Sequence, residues 1–248
     1  MLGRGLRLGR ILGVPIWLDL SWFAGLAIFA TLSHDVWSPR VTGFGAVALS
    51  LVFTCAFFAS VLAHELSHAL AARVLGIATM EISLLVFGGV ARIVSEPNDA
   101  AGEALMAMAG PLTSVTIAGL LWLASQLVGG WPGDLIALLG LANLVLAIFN
   151  LLPGFPLDGG RVARAVVWRI TGRRLLATQV TAWFGRGLAL LLIAGGGIAV
   201  AFAHTPRYLL HVALGLFLWH AASQGERAAR SAEAYRNEHQ DLLSRPEA

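Results

Sequence analysis

The 248-residue chain contains one cysteine, Cys55, and no lysine. A single cysteine excludes a disulfide framework and a zinc site built from thiolates, so any metal must be held by histidine and carboxylate side chains. Charged residues make up only 12% of the chain, whereas hydrophobic residues make up 57%, and the mean hydropathy is +0.76. This composition excludes an ordinary soluble domain and predicts an integral membrane protein in a lipid bilayer.

Apolar stretches long enough to cross a bilayer recur along the chain. We predict six transmembrane helices, at about residues 16–32, 43–75, 105–128, 135–152, 183–203 and 208–222. The arginines concentrate in the segments on one side of these helices, so the positive-inside rule places both termini in the cytoplasm. This distribution also accounts for the net charge of +3 without a nucleic-acid partner. Residues 1–223 are predicted to form the membrane domain, and residues 224–248 a polar cytoplasmic tail that is helical.

The motif His64-Glu65-Leu66-Ser67-His68 lies inside the second apolar stretch. Four residues along an α-helix advance by about 400° and rise by about 6 Å, so both imidazoles leave the same helix face and can bind one cation. Glu65 lies beside that face, where it can accept a proton from water. Ionisable residues at membrane depth are costly unless they have a function. The pattern predicts a zinc-hydrolase site near mid-membrane; the alternative is a pair of packing histidines with an incidental glutamate.

Two segments interrupt the helical pattern. Residues 81–94, EISLLVFGGVARIV, combine β-favouring runs around Gly88 and Gly89 and predict a re-entrant β-hairpin with these glycines as its turn. A plain interfacial loop is the alternative. Residues 150–161, NLLPGFPLDGGR, contain two prolines and three glycines and predict an irregular stretch after the fourth helix. Broken backbone at membrane depth tends to line a functional cavity, although a turn with a surface aspartate would have the same composition.

That irregular stretch carries one acid, Asp158. Catalytic zinc usually takes three protein ligands and keeps one position for water, so His64 and His68 need a third partner. The other acids fall at helix starts or in outward loops, whereas Asp158 lies in a glycine-flanked stretch at a suitable depth. We therefore expect Asp158 to be the third ligand.

Four motifs taken together resemble the site-2 protease family of intramembrane zinc metalloproteases. They are HELSH, FGGVAR, AGPLTS at residues 109–114 and NLLPGFPLDGGR, and they occur in that order within a resemblance that extends from about residue 13 to residue 224. The resemblance implies one zinc ion per chain held by His64, His68 and Asp158, with Glu65 as the catalytic base. It also implies that Asn150 helps to bind substrate or to stabilise the oxyanion. PDZ and CBS domains, which some relatives carry, are not found in this sequence.

The expected fold is an all-α polytopic membrane protein with six transmembrane helices, a re-entrant β-hairpin and a broken segment after helix four. The resemblance implies hydrolysis of a peptide bond within or near the transmembrane segment of a single-span protein in a bacterial cell membrane. An anti-sigma factor already cut by a first protease is an example of such a substrate. The substrate helix must unwind, and the hairpin around Gly88 and Gly89 can hold the unwound segment as an added strand.

Two competing classes remain, a metal-ion transporter and a non-catalytic zinc-binding membrane protein. A transporter would need a series of acids and histidines across the bilayer, and the outer halves of the predicted helices carry none. A non-catalytic protein is disfavoured because Glu65 and every proposed ligand are present. Assembly into a homo-oligomer is left open by the sequence.

Overall fold

A computed structural model describes residues 5–39, 41–86, 88–203 and 206–244. Most of these residues are helical, and the elements follow one another in this order: β1 (Leu6–Ile11), β2 (Val14–Leu18), α1 (Leu20–Trp37), α2 (Phe44–Val74), β3 (Thr79–Leu85), β4 (Gly88–Ile93), α3 (Ala100–Val128), α4 (Gly130–Asn150), α5 (Asp158–Thr171), α6 (Arg174–Ala203), a 3-10 turn (Pro206–Tyr208) and α7 (Leu209–Ser244). They form two compact units. The first comprises Met1–Asn98 and Leu105–Asn150, and the second Asp99–Ala104 and Leu151–Ala248.

Four of the described helices are long and apolar enough to cross a membrane: α2, α3, α4 and residues Arg174–Phe202 of α6. Helices α1 and α7 stand where the first and sixth spans were predicted, so a count of six stays a prediction. Helix α7 continues through residues 224–244 of the predicted tail.

The first unit contains a four-stranded sheet with the order β1-β2-β3-β4. Strands β1 and β2 are antiparallel, β2 and β3 are parallel, and β3 and β4 are antiparallel. The predicted hairpin is therefore one half of a larger sheet, and the first apolar stretch starts as a strand at residue 16 rather than as a helix. The segment VPIWL alternates between buried and half-buried residues, which is the period of a strand. The residues of β2 are all apolar and continue almost directly into the apolar residues of α1, so the alternation is not visible in the sequence.

The sheet packs on the part of α2 that contains the HExxH motif. Ile16 and Ile82 are fully buried in one cluster with Ala69, and Leu84 is buried in a second cluster with Val61. Buried side chains in a close-packed core hold their neighbours in fixed rotamers. The sheet thus fixes the rotation of α2 over the turns that carry His64 and His68.

The turn of the predicted hairpin is displaced from its predicted position. Leu85 pairs with Gly88 and Leu84 pairs with Gly89, so both glycines belong to β4 and the turn comes before them. Gly88 has a φ of +136°, which favours glycine, and Phe87 lies outside the described residues. Strand β3 has a neighbour on each side, whereas within the described part of the chain β4 pairs only with β3. Among the described residues, the two edge strands of the sheet are therefore β1 and β4.

In the second unit, Asp158 begins a helix and does not lie in the irregular stretch where it was predicted. The stretch without regular structure covers Leu151–Leu157 only. This helix was not predicted because two glycines, which are poor helix formers, lie in its first turn. Helix α5 is nevertheless strongly amphipathic, and it ends at Gly172 in the left-handed conformation.

Helices α6 and α7 of the second unit are joined by an ion-pair network. Glu226 accepts hydrogen bonds from Arg230 at 2.6 Å and from Arg186 at 2.7 Å. The hydrogen bond from Arg230 holds the pKa of Glu226 below its ordinary value of 4.5, and Arg186 acts in the same direction against the effect of burial. Glu226 is therefore ionised in the folded protein at neutral pH.

Candidate metal centre

The two histidines of the HExxH motif lie on the buried face of α2, with 3% and 6% of their surfaces exposed. His68 Nδ1 lies 2.7 Å from the carbonyl oxygen of Met106, and His64 Nδ1 lies 2.9 Å from Ser114 Oγ. A carbonyl oxygen can only accept, so His68 donates from Nδ1 and its Nε2 is the nitrogen suited to a metal. The ligand nitrogens of the two rings are within 4.8 Å of each other. This is the orientation that second-shell hydrogen bonds give to metal-binding imidazoles.

Gly110 on α3 marks the point that both imidazoles face. A Cβ atom at this position would overlap Nε2 of His64 and Nε2 of His68. Only glycine lets the backbone of α3 come this close to both nitrogens, and imidazole nitrogen is a usual ligand of zinc. Met106, Gly110 and Ser114 recur at helical spacing, which puts them on one face of α3. That face therefore orients both rings and turns their Nε2 atoms toward one point.

Glu65 is half-buried and lies against strand β4. A Cβ atom at Gly89 would overlap Glu65 Cγ and would lie 3.0 Å from Cδ and 3.3 Å from Oε1. Gly89 was predicted to be a turn residue, but its function in the structure is to let the backbone of β4 approach this carboxylate. The contact places the proposed base beside β4, one of the two edge strands of the sheet.

Asp158 is the first residue of α5, and only 8% of its surface is exposed. The two glycines after it allow this burial. A Cβ at Gly159 would overlap the carbonyl group of Leu151, and a Cβ at Gly160 would overlap the backbone of Gly154. The irregular segment therefore folds directly against the first turn of α5, and no larger residue fits at either position. A carboxylate at a helix N-terminus is also stabilised by the helix dipole.

Asn150 is the last residue of α4, in the first unit. Its side-chain amide donates to the carbonyl oxygen of Leu146 at 3.0 Å, a bond within its own helix. The assignment of Asn150, Gly88 and Gly89 to substrate binding stays a prediction.

Sequence reasoning missed Met106, Gly110 and Ser114 as partners of the metal site. Only the AGPLTS motif, which contains Gly110 and Ser114, pointed to this segment, and the sequence assigned no function to either residue. The spacing of Gly110 and Ser114 is a usable signal, because small buried residues on one helix face allow close approach of another helix.

Comparison with known proteins identifies the family. Residues 52–130 and 129–194 match the model of Peptidase family M50. The chain belongs to this family. The site-2 protease of Methanocaldococcus jannaschii, a solved structure, is 31% identical with a TM-score of 0.64, over 89% of this chain and 94% of that chain.

Curated relatives of this M50 chain carry zinc in their names. Zinc metalloprotease MJ0392 of M. jannaschii is 33% identical over 236 residues, which are 94% of this chain and 63% of the relative. The provisionally named zinc metalloprotease sll0528 of Synechocystis sp. is 35% identical over 237 residues, which are 94% of this chain and 62% of the relative. The chain thus spans about three fifths of the length of these relatives. The predicted resemblance, the integral membrane location and zinc as the metal are confirmed.

Proposed function

We propose that this M50 chain is an intramembrane zinc metalloendopeptidase that hydrolyses a peptide bond within or near the transmembrane segment of a single-span membrane protein. The observation that carries the proposal is the pair of buried imidazoles on α2, whose Nε2 atoms both face Gly110 while Nδ1 of each ring is engaged. Packing histidines need not face a common point, whereas ligands of one cation must.

We assign the zinc ligands to His64, His68 and Asp158. Each offers one ligand atom, two imidazole nitrogens and one carboxylate oxygen. Three protein ligands are the number that catalytic zinc sites use, because the fourth position takes water or substrate. The ligands are uncharged imidazoles and one carboxylate, so the site keeps a net positive charge that favours a developing oxyanion.

When bound, zinc supplies a Lewis acid that activates water and polarises the scissile carbonyl. Glu65 moves the proton: a carboxylate oxygen accepts it from the attacking water and then delivers it to the leaving amine nitrogen. The water oxygen forms the new bond to the carbonyl carbon, and the carbon–nitrogen bond breaks. The close approach of Gly89 to Glu65 Cγ restricts the positions that the carboxylate can take during both proton transfers.

Substrate binding is assigned to the free edge of β4. A transmembrane helix hides its carbonyls in backbone hydrogen bonds, so it must unwind before cleavage. An extended segment that pairs with β4 regains these bonds and lies beside Glu65, because Gly89 of β4 contacts that side chain. Asn150 is proposed as a further substrate-binding residue.

A bacterial cell membrane with both termini in the cytoplasm is the proposed location, and an anti-sigma factor already cut by a first protease is the proposed type of substrate. The arginine distribution supports the orientation. A homo-oligomer is compatible with the proposed chemistry, since every proposed catalytic group comes from one chain.

The test measures zinc content and cleavage of a model single-span substrate by purified protein. Glu65→Gln should keep one zinc per chain and lower kcat by a factor of about 100 or more, because only the base is lost. His64→Ala should lose both zinc and activity. His220→Ala, an exposed histidine on α7, is the matched control and should change neither. Full zinc content in His64→Ala, or undiminished cleavage by Glu65→Gln, would refute the proposal.

A further inference from the structure

The second unit contains a buried ion pair that the proposed chemistry does not use. Arg164 Nε donates to Glu103 Oε1 at 2.5 Å, and Nη2 of the same guanidinium contacts the same oxygen. The side chain of Glu103 is 0% exposed and that of Arg164 is 6% exposed. Glu103 Oε2 has no hydrogen-bond partner among the described residues. Removing two charges from water is costly, and a buried pair is often no more stabilising than apolar residues of similar volume. Stability alone is therefore a weak explanation for this pair.

Arg164 lies on the helix that begins with Asp158. Helix α5 covers Asp158–Thr171 and moves as one element, so fixing Arg164 fixes both the rotation of the helix and its position along its axis. The Arg164 guanidinium also lies over the ring of Phe155, with its Cζ 5.9 Å from the ring centroid. The same side chain thus holds the irregular segment just before Asp158 and the helix just after it.

Glu103 lies on the helix that orients the two imidazoles. Glu103, Met106, Gly110 and Ser114 follow one another at intervals of three or four residues, which places them along one face of α3. Met106 and Ser114 bind the Nδ1 atoms of His68 and His64. One face of α3 therefore carries both the partners of the imidazoles and the carboxylate that binds α5.

We propose that Glu103 and Arg164 are a positioning pair that sets the place of the Asp158 carboxylate in the zinc site. The proposal rests on the ligand set assigned above. Neither side chain needs to touch metal or substrate; the pair acts through α5, which carries the third ligand, and through α3, which orients the other two. An apolar pair of similar volume would pack as well, but it would lack the directional hydrogen bonds that define one register of α5.

Binding of Co²⁺ to the purified metal-free protein tests this proposal, because its affinity and its visible absorption both report on the ligands. We expect Glu103→Gln and Arg164→Met to weaken Co²⁺ binding about 10- to 100-fold, which is the usual effect of losing a side chain that holds a metal ligand in place. The double variant Glu103→Leu/Arg164→Met should recover the unfolding temperature but not the affinity or the wild-type spectrum. Arg164→Lys should recover part of the affinity. Arg230→Met, which breaks an ion pair with Glu226 elsewhere in the same unit, is the control and should bind Co²⁺ as the wild type does.

Wild-type affinity and spectrum in the double variant would overturn the proposal, because the pair would then be a structural contact only. If the single variants do not fold, the Co²⁺ affinity and spectrum of the double variant decide between a positioning pair and a structural contact. A failure of the ligand assignment gives a different result. In that case Asp158→Ala itself binds Co²⁺ as tightly as the wild type, with an unchanged spectrum, and the positioning role falls with the ligand set.

Discussion

Replacing Gly110 by alanine should separate the metal site from the stability of the fold. Gly110 lies inside α3, where alanine is favoured over glycine by about 1 kcal/mol because it restricts the unfolded chain more. On helix propensity alone, the variant would be at least as stable as the wild type. At this position, however, the added methyl group overlaps Nε2 of both His64 and His68.

The magnitude follows from what must move. To relieve the overlap, at least one imidazole must rotate away, which breaks its Nδ1 hydrogen bond to Met106 or Ser114 and removes it from the metal. Losing the hydrogen-bond partner of a metal-binding imidazole alone weakens metal binding about 10- to 100-fold. Losing the ligand as well should weaken zinc binding at least about 100-fold, which is about 2.8 kcal/mol at about 1.4 kcal/mol per tenfold change.

The assay is a zinc titration of purified protein against a chromogenic chelator, together with the unfolding temperature in detergent. Gly119→Ala is the matched control, since Gly119 lies on the same helix and, apart from that helix's own nearby backbone, no atom of the described residues stands within 4 Å of its would-be Cβ. The control should bind zinc as the wild type does and should unfold at or above the wild-type temperature without zinc. For Gly110→Ala, the unfolding temperature without zinc reports the cost of displacing the imidazole, which offsets the gain in helix propensity. Equal zinc affinity in the two variants would refute the claim that the imidazoles hold a metal where they face Gly110.

Four further results are expected. Gly89→Ala should lower kcat and leave zinc content unchanged, because its methyl group displaces the stem of Glu65; unchanged kcat would mean that this contact does not set the base. Proline placed in turn at each β4 position should reduce cleavage at every second residue, where the N–H faces the substrate, and uniform tolerance would place substrate binding elsewhere. The pKa of Glu226 is lower in the folded than in the unfolded protein, so Glu226 stabilises the fold above the unfolded value of about 4.5, and this stabilisation is lost as the pH falls through the folded pKa. Glu226→Gln should therefore make the unfolding temperature less dependent on acid pH. An unaltered pH profile would mean that the ion-pair network does not cause this dependence. Gln240→Cys, made after the native cysteine is replaced, should resist an impermeant thiol reagent added to intact cells, and its labelling would reverse the predicted orientation.

The proposed zinc ligands could be singled out from the sequence because each is marked by local features. His64 and His68 are one turn apart on a single helix, so their shared face follows from helix geometry without any tertiary information. Asp158 could be singled out because glycine and proline around it mark a change in backbone structure. The zinc site was thus predictable to the extent that each ligand is marked by its own neighbours.

Tertiary contacts explain what the sequence did not predict. Gly89 resembles a turn residue, but it is glycine because Glu65 lies against it, and that contact joins two segments that local patterns treat separately. Helix α5 was missed because Gly159 and Gly160 are poor helix formers; they are required there by the backbone of the segment before them. The β1–β2 strands were missed because the apolar residues of β2 are continuous with those of α1.

The parallel pairing of β2 with β3 has a consequence for the biosynthesis of the protein. Ile16 pairs with Ile82, and parallel strands can be joined only by a crossover, which here consists of α1 and α2. A nascent chain must therefore contain both helices before β2 can find its partner. Strand β4 leaves the ribosome later still, so the contact between Glu65 and Gly89 is among the last to form in the first half of the chain. The emerging polypeptide therefore carries its imidazoles before the strand beside the proposed base exists, and Asp158, the proposed third ligand, follows later still. The proposed proteolytic site can be complete only after the sheet has closed and α5 has been synthesised.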